Sequence, residues 1–359
     1  MNIAACAHKM KLASPKLAAS SNEERNKALE TIAVNLQKNK DEIFKANAAD
    51  MKRAEESGIS DAVKKRLKFD EGKLNDVVKG LYQLMTLEDP LNHVQIKREM
   101  DKDLILCQKT CPIGVIGVIF EARPDALVQI SSLCIKSGNC AILKGGKETT
   151  ETNRVLFRII YDSVLKAGLP EGCMLQAESH SEIDELLSCD KDVDLLIPRG
   201  SNQFVRYIMD HTKIPVMGHA DGICHIYVDK DYDKEKAIPV IVDAKTQYTA
   251  ACNAVETLLI HRDIAKDFLP EAARALKDAG VKLRGTQEAA DITAMEVMGE
   301  EEFDTEYLDL IISIKLVDNV EEAIDHINQF GSHHTDAIIT ENQETPELFM
   351  QMVDSAGVY

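Results

Sequence analysis

The sequence predicts an α/β protein made of two Rossmann-type domains with a cleft between them and a small extended arm. Its 359 residues exceed the usual size of one domain. From residue 112 onward, short apolar runs alternate with amphipathic helical segments, which is typical of parallel sheets covered on both faces. A polar, irregular stretch at about 92–111 comes before this pattern and predicts the arm.

Composition and charge exclude several classes of protein. The chain is 45% hydrophobic and 28% charged, which is typical of soluble globular proteins. No apolar run approaches the ~20 residues of a membrane span, and the N-terminus has no apolar signal segment. A net charge of -18 repels nucleic acid while leaving local basic spots for small anions. We therefore expect a cytoplasmic protein with neither a nucleic-acid nor a membrane partner.

The cysteines indicate reduced thiols. There are nine, an odd number, in a long chain without a Cys-x-x-Cys pair. A disulfide framework and a zinc site are both disfavoured. The neighbouring His333 and His334 lack the spacing of a metal motif, so no metal is predicted.

Periodicity predicts each element of the first half. Residues 21–87 are expected to be helical, since Leu29, Ile32 and Leu36 recur at helical spacing. Beyond the arm, buried strands are predicted from apolar runs of four to nine residues, and helices from longer amphipathic segments, two of which end at Gly138 and Gly168. Strands are expected at 112–120, 140–144, 193–198, 214–217 and 224–229, and helices at 125–138, 148–168 and 201–211.

A second α/β block begins near residue 233. We expect residues 1–232 to form a cofactor-binding domain and residues 233–359 a catalytic domain. The predicted helices of this block lie at 236–247, 263–280, 320–331 and 345–357. Its predicted strands lie at 256–261, 281–285, 310–317 and 336–340, and residues 357–359 resemble the start of another strand.

Two basic loops after strands could hold phosphates. In Lys144-Gly145-Gly146-Lys147 the glycines let backbone approach an anion and the lysines supply charge. The second loop, Arg199-Gly200-Ser201, leads into a helix with Ser201 as its N-cap. Each alone is a weak signal, because glycine turns between strand and helix are common. Neither loop is a Walker A or G-x-G-x-x-G motif.

Cys252 lies among small residues, between a predicted helix and an apolar strand. A thiol on such a turn can face a cleft, where a cation or helix N-terminus would stabilise its thiolate. Composition alone favours a packing role, which most lone cysteines have.

Seven ordered blocks bear a family resemblance, and together they cover nearly the whole chain. They lie at residues 112–130, 137–148, 196–202, 218–229, 251–259, 306–318 and 326–342. In these blocks the chain resembles the γ-glutamyl phosphate reductase family of the aldehyde dehydrogenase superfamily. The resemblance implies an aldehyde-dehydrogenase-like fold with an oligomerisation arm, and a homo-oligomer once the full C-terminal segment is present.

The implied reaction is the second step from glutamate to proline. L-glutamyl 5-phosphate and NADPH give L-glutamate 5-semialdehyde, phosphate and NADP+, with a glutamate 5-kinase supplying and channelling the acyl phosphate. Cys252 is the implied nucleophile, forming a thioester. Aldehyde oxidisers carry a glutamate base where this chain has residues 218–222. A reductase avoids the hydrolysis that such a base promotes.

The resemblance also implies binding roles. Lys144 matches the lysine at the cofactor's ribose and adenine side, Gly200 and Ser201 match the glycine-serine turn, and Glu306 matches the ribose-binding glutamate. The preference for NADPH rests on the resemblance, with Lys144 and Lys147 as a physically reasonable 2′-phosphate site. The candidate substrate contacts are Asn253, Ser332, His333 and His334.

Two alternatives stay open at this point. One is another acylating aldehyde dehydrogenase with a different acyl donor, against which residues 122–126 and 333–340 argue. The other is a truncated, inactive subunit that associates with full-length partners. It follows from the expectation that the family's chains continue beyond Tyr359 and complete the catalytic domain there.

Overall fold

The computed structural model describes residues 2–59, 61–121, 123–179, 181–218 and 221–359, with the side chains of 61–63 left out. The chain divides into two compact units, Met1–Gly218 and His219–Tyr359. Both contain parallel sheets with connecting helices, so the α/β prediction is confirmed. Within the described ranges, no helix is both long and apolar enough to cross a membrane.

The first unit begins with helices. Residue Ser21 opens the second of them with a capping box, in which Glu24 bonds back to the Ser21 amide. Sequence periodicity missed the first helix, in which half of the buried residues are small. The five helices are α1 (Ile3–Ala18), α2 (Asn22–Lys38), α3 (Lys40–Glu56), α4 (Asp61–Leu67) and α5 (Glu71–Thr86).

The arm is a two-stranded antiparallel hairpin. Its strands are β1 (Val94–Asp101) and β2 (Leu104–Lys109), and every residue of both is exposed. The structure thus contains the extended segment that the sequence predicts at about 92–111.

A four-stranded parallel sheet forms the core of the first unit, in the order β5-β4-β3-β6. The strands are β3 (Val115–Ile119), β4 (Cys140–Lys144), β5 (Met174–Ala177) and β6 (Leu195–Pro198). The helices are α6 (Pro124–Lys136), α7 (Thr150–Lys166), α8 (Ser181–Leu187) and α9 (Asn202–Asp210). The predicted strand at 214–217 was wrong, since only Val216 forms an isolated bridge, to Leu196.

The second unit holds a seven-stranded parallel sheet in the order β10-β9-β11-β8-β7-β12-β13. The strands are β7 (Cys224–Val228), β8 (Val255–His261), β9 (Lys282–Gly285), β10 (Glu296–Val297), β11 (Ile311–Val317), β12 (Thr335–Ile339) and β13 (Gly357–Val358). The helices are α10 (Lys234–Thr246), α11 (Arg262–Asp278), α12 (Gln287–Ile292), α13 (Val320–Phe330) and α14 (Thr345–Met352).

The division between the units differs from the expected boundary after residue 232. Strand β7 lies before that boundary, yet it pairs with β8 and β12 in the second sheet. The compact units accordingly separate at Gly218. A fully buried strand has the same apolar sequence pattern in either sheet. Its sequence therefore does not indicate which strands it pairs with.

Buried Asp50 of α3 fixes the start of α7, directly after the first basic loop. Its carboxylate accepts hydrogen bonds from the amides of Glu151 (3.2 Å) and Thr152 (2.8 Å) and from the Thr152 hydroxyl (2.7 Å). The first amides of a helix lack partners within the helix, so an acceptor from α3 satisfies them. The negative charge of the carboxylate is also stabilised by the positive end of the α7 helix dipole.

We expect Asp50→Ala to lower the free energy of unfolding by about 2–3 kcal/mol, because it leaves buried amides without an acceptor. Urea denaturation followed by circular dichroism measures this change. The matched control is Glu55→Ala, an exposed position of the same helix, which should stay within about 0.5 kcal/mol of wild type. Equal stability of the two variants would contradict the capping role.

Candidate functional site

The two basic loops lie at the carboxyl edge of the first sheet. Strand β3 pairs with β4 on one side and β6 on the other, so that Ile119 faces both Lys144 and Pro198 in register. Because carboxyl ends of parallel strands share one edge, the segments that follow these two residues begin side by side.

Lys144 is almost fully buried at the end of β4. Its ammonium donates to the carbonyl of Gly145 at 2.6 Å. Burial lowers the pKa of Lys144 below its usual value. Four surrounding carboxylates oppose this shift, because their charges favour the protonated lysine. Those carboxylates belong to Glu148, Glu182, Glu121 and Glu178.

Glycines let the loops pack closely. A Cβ on Gly145 would lie 2.2 Å from Asn153 Nδ2. A Cβ on Gly200 would lie 3.0 Å from both Glu121 Oε1 and Phe204 Cδ1. Only glycine therefore fits at 145 without a shift in its neighbours.

Helix α9 begins as the sequence predicts. The hydroxyl of Ser201 accepts from the Phe204 amide at 3.4 Å, making Ser201 the N-cap. Arg199 is exposed, and its amide donates to the Ile119 carbonyl at 2.7 Å.

A cavity of about 160 Å³ lies at this edge. Lys144, Gly145, Gly146 and Lys147 all line it. The second loop adjoins the wall of this cavity: the Arg199 amide bonds Ile119, and the Ser201 hydroxyl bonds the Phe204 amide. A Cβ on Gly200 would also meet Glu121 and Phe204. The structure thus brings together the residues expected at the cofactor in the first unit. Glu306, the remaining one, belongs to the second unit.

Cys252 lies on the turn between α10 and β8, where it is partly exposed. The turn is closed by the amide of Ala254, which donates to the Ala251 carbonyl at 3.0 Å. Asn253 is exposed beside it. The Cys252 thiol is thus neither fully buried nor fully exposed.

Gly222 packs against the backbone of Cys252. A Cβ at this position would lie 2.2 Å from the Cys252 oxygen, 2.7 Å from its Cα and 2.8 Å from its carbonyl carbon. The Gly222 amide donates to Glu306 Oε1 at 2.9 Å. Glu306 therefore holds the glycine that contacts the candidate nucleophile. His219 and Ala220, in the same predicted block, lie outside the described residues.

A second thiol also contacts Cys252. Cys224, the first residue of β7, is only 2% exposed. Its Sγ donates to the Cys252 carbonyl oxygen at 3.2 Å. Burial raises the pKa of the Cys224 thiol to about 12, so it stays protonated. In the sequence Cys224 stands in an apolar run, where a free cysteine behaves as a small hydrophobe.

The turn at 332–334 contributes two of its three candidate residues. The Ser332 hydroxyl accepts from the Ile223 amide at 2.8 Å, and His334 Nδ1 lies 4.0 Å from Cys224 Sγ. His333 is exposed with φ +61°, and its Nδ1 bonds the Asp354 carbonyl oxygen at 2.7 Å. Ser332 and His334 thus lie against Ile223 and Cys224, whereas the His333 ring bonds Asp354. The described residues contain no cluster of three or more potential metal ligands.

A buried ion pair underlies the turn. Lys245 Nζ, at the end of α10, lies 2.6 Å from Glu256 Oε2, at the start of β8, and both side chains are almost fully buried. The amide of Leu308 donates to the other Glu256 oxygen at 3.4 Å. Burial raises the pKa of Glu256 to about 7 and lowers that of Lys245. A glutamate in an apolar strand was the sequence signal for this pair, and the sequence analysis missed it.

Comparisons with known proteins identify relatives along the whole chain. The aldehyde dehydrogenase family model matches residues 1–308. The γ-glutamyl phosphate reductases of Acetivibrio thermocellus and Pelotomaculum thermopropionicum are each 51% identical over 359 residues, which is 100% of this chain and 83% of theirs. The crystal structure of γ-glutamyl phosphate reductase from Thermotoga maritima is similar with a TM-score of 0.97 and 34% identity, covering 100% of this chain and 87% of that one.

We expect Lys245→Met to destabilise the protein by about 3–5 kcal/mol near pH 8, because it leaves the Glu256 carboxylate buried without a cation. Without Lys245 the folded-state pKa of Glu256 rises above its value of about 7. The folded state then holds a proton that the unfolded state loses above its pKa of ~4.3, so stability falls as pH rises through this window. The loss should therefore be smaller at pH 5 than at pH 8.

Urea denaturation at the two pH values measures this effect. The double variant Lys245→Met/Glu256→Met serves as the control, since it removes both charges and should recover to within about 1 kcal/mol of wild type. A double variant no more stable than the single one would contradict the explanation by an unpaired charge.

Proposed function

The chain belongs to the aldehyde dehydrogenase family, and we propose on this basis that it reduces L-glutamyl 5-phosphate to L-glutamate 5-semialdehyde. Phosphate is released, and the step is the second from glutamate to proline. The observation that carries the proposal is 51% identity to γ-glutamyl phosphate reductases along all 359 residues. The chain is accordingly an oxidoreductase.

The first unit's basic loops suit a nicotinamide dinucleotide. Their glycine backbone, two lysines and the N-terminus of α9 offer hydrogen-bond donors for phosphates at one sheet edge. Lys144, Gly145, Gly146 and Lys147 would hold the cofactor together with Arg199, Gly200 and Ser201. The family resemblance is the basis for proposing Glu306 as a ribose partner. We propose NADPH, with Lys144 and Lys147 as partners of the 2′-phosphate. When bound, the cofactor supplies the hydride.

Cys252 carries the covalent chemistry in this proposal. Its thiolate attacks the acyl-phosphate carbonyl, and the carbon–oxygen bond to phosphate breaks with the electron pair leaving on phosphate. A thioester with Cys252 remains. After reduction to the thiohemiacetal, the carbon–sulfur bond breaks, and Cys252 leaves again as thiolate. Phosphate is a good leaving group, so no strong acid is required from the protein.

Main-chain donors stabilise the tetrahedral oxyanion. The Cys252 amide is one candidate donor, and removing a donor from such a site costs about 2.7–4 kcal/mol. The 218–222 block has no glutamate, so it lacks the base with which aldehyde oxidisers activate water against the thioester. This favours reduction over hydrolysis.

The substrate's amino and carboxylate groups need polar partners near Cys252. Asn253 is exposed on the same turn, and Ser332 and His334 belong to the segment beside Cys224. We propose these three as contacts, while His333 is a weaker candidate because its ring bonds Asp354. A glutamate 5-kinase would supply the acyl phosphate in the cytoplasm, and homo-oligomers would form through the hairpin arm.

We expect Cys252→Ala to lose at least about a thousandfold in the rate of NADP+ reduction with glutamate semialdehyde and phosphate, since no thioester can form. Absorbance of NADPH measures the rate. The matched control is Cys6→Ala, because Cys6 is partly exposed like Cys252 and lies on α1. It should keep the wild-type rate.

Full activity in Cys252→Ala would rule out the thiol mechanism. Activity with acetyl-coenzyme A or another acyl donor in place of the semialdehyde system would favour a different acylating dehydrogenase. An inert chain that becomes active when extended with the C-terminal segment of its Acetivibrio relative would favour the inactive-subunit alternative.

We expect Lys147→Ala to raise the KM for NADPH about tenfold, which corresponds to roughly 1.4 kcal/mol of lost attraction to the 2′-phosphate. The KM for NADH, which lacks that phosphate, should stay within about twofold. Initial rates with each cofactor give both constants. Lys166→Ala, an exposed lysine at the end of α7, is the control and should change neither. An equal rise of both constants would exclude a specific role at the 2′-phosphate.

A further inference from the structure

We propose that Cys224 is a positioning residue for the reaction, holding the turn of Cys252 through a hydrogen bond from its thiol to the Cys252 carbonyl. The inference deepens the proposed function and rests on it in one respect, namely that Cys252 is the nucleophile. Cys224 itself does not touch the substrate in this proposal.

The contact is well defined. Cys224 Sγ lies 3.2 Å from the Cys252 oxygen, within the range for a sulfur donor. Cys224 is the first residue of β7, and the pairing of β7 with β8 shifts register between Cys224 and His225. Such an irregularity re-aims side chains at the end of a strand. Here the thiol reaches the turn that precedes β8.

The hydrogen needed for this bond is present. The Cys224 side chain is buried, and desolvation disfavours its thiolate. The negative charges of Asp336 and Glu256 act in the same direction. A protonated thiol is a weak donor but the only kind of donor that a cysteine offers. The two thiols therefore take different tasks, one kept as a donor and the other available as a nucleophile.

Gly222 also restricts the peptide group between Cys252 and Asn253. Gly222 leaves no room for a Cβ against the oxygen and carbon of Cys252, and Glu306 holds the Gly222 amide at 2.9 Å. The Cys252 carbonyl thus meets Gly222 and the Cys224 thiol together. The Cys252 carbonyl and the Asn253 amide belong to one planar peptide. The direction of the carbonyl therefore fixes both ψ of Cys252 and the direction in which the Asn253 amide points. Losing the thiol hydrogen removes the directional part of this restraint.

The simplest competing explanation is that Cys224 fills space as a small apolar residue. A pair of substitutions separates the two roles. Cys224→Ser keeps a hydroxyl donor of similar size, whereas Cys224→Ala removes the donor and leaves most of the volume. The matched control is Cys173→Ala, since Cys173 is equally buried, its pKa is likewise raised to about 12, and it lies in the first unit.

The steady-state assay with glutamate semialdehyde, phosphate and NADP+ tests the proposal. We expect kcat to fall about tenfold in Cys224→Ala, because one directional hydrogen bond is lost. The KM should stay within about twofold of wild type, since Cys224 does not touch the substrate. Cys224→Ser should stay within about threefold of wild type, and Cys173→Ala should be unchanged. Melting temperatures of all three verify that they fold.

Alkylation of Cys252 by iodoacetamide, quantified on its peptide by mass spectrometry, provides a second readout. A small reagent attacks from any direction, so its rate in Cys224→Ala should stay near that of wild type while kcat falls. Three results would overturn the proposal: wild-type kcat in Cys224→Ala, an equal loss in Cys224→Ser, or alkylation that falls in parallel with kcat.

Failure of the proposed function gives a different result. Cys252→Ala is assayed in the same series, and full activity in that variant would show that Cys252 is not the nucleophile. If Cys252→Ala lost activity while Cys224→Ala kept it in full, only the positioning role of Cys224 would be contradicted.

Discussion

The direction of the strands in the two parallel sheets constrains every candidate residue. In a parallel sheet all amino ends lie at one edge and all carboxyl ends at the other. The first unit uses the carboxyl edge, where the segments after β4 and β6 flank the end of β3. The second unit uses the amino edge. Cys252, Gly222, Glu306 and Ser332 precede four strands that are neighbours in the sheet, β8, β7, β11 and β12.

The amino edge imposes a particular chemistry. Strands that begin there present main-chain amides that need acceptors, and the second unit supplies them from side chains. Ser332, Glu306 and Asp336 accept the amides of Ile223, Gly222 and His225, respectively. Glu306 and Ser332, the two with implied ligand roles, therefore also maintain the main chain around Cys252. An ionised carboxylate has about four acceptor positions, so contact with Gly222 is compatible with a further partner.

Much of the fold could be predicted from the sequence, because local patterns determine it. Alternating apolar runs and amphipathic segments located β3, β4, α7 and α9, and Ser201 proved to be an N-cap as expected. The partner of each strand was less predictable. Cys224–Val228 is fully buried and carries no mark of its sheet, so the boundary after residue 232 lay too far along the chain.

The candidate site shows the same division between local and nonlocal information. The basic loops follow strands and were predictable from the rule that ligands bind at carboxyl ends of parallel strands. No such rule indicates the amino edge, and Cys252 stood out only through its resemblance to a known family. The contacts of Gly222 and Cys224 with Cys252 depend on the pairing of β7 with β8, which composition and periodicity do not reveal.

Electrostatics limits how the protein can attract an anionic ligand. The chain carries a net charge of -18, and a phosphorylated substrate would be anionic as well. Long-range attraction therefore does not bring such ligands to the protein, and binding depends on short-range donors that screening affects little. Beneath the turn, Lys245 is neutralised by Glu256 at 2.6 Å and so contributes little net field at Cys252. In our proposal, the orientation of the main chain, restrained by Gly222 and Cys224, helps to direct the thiol.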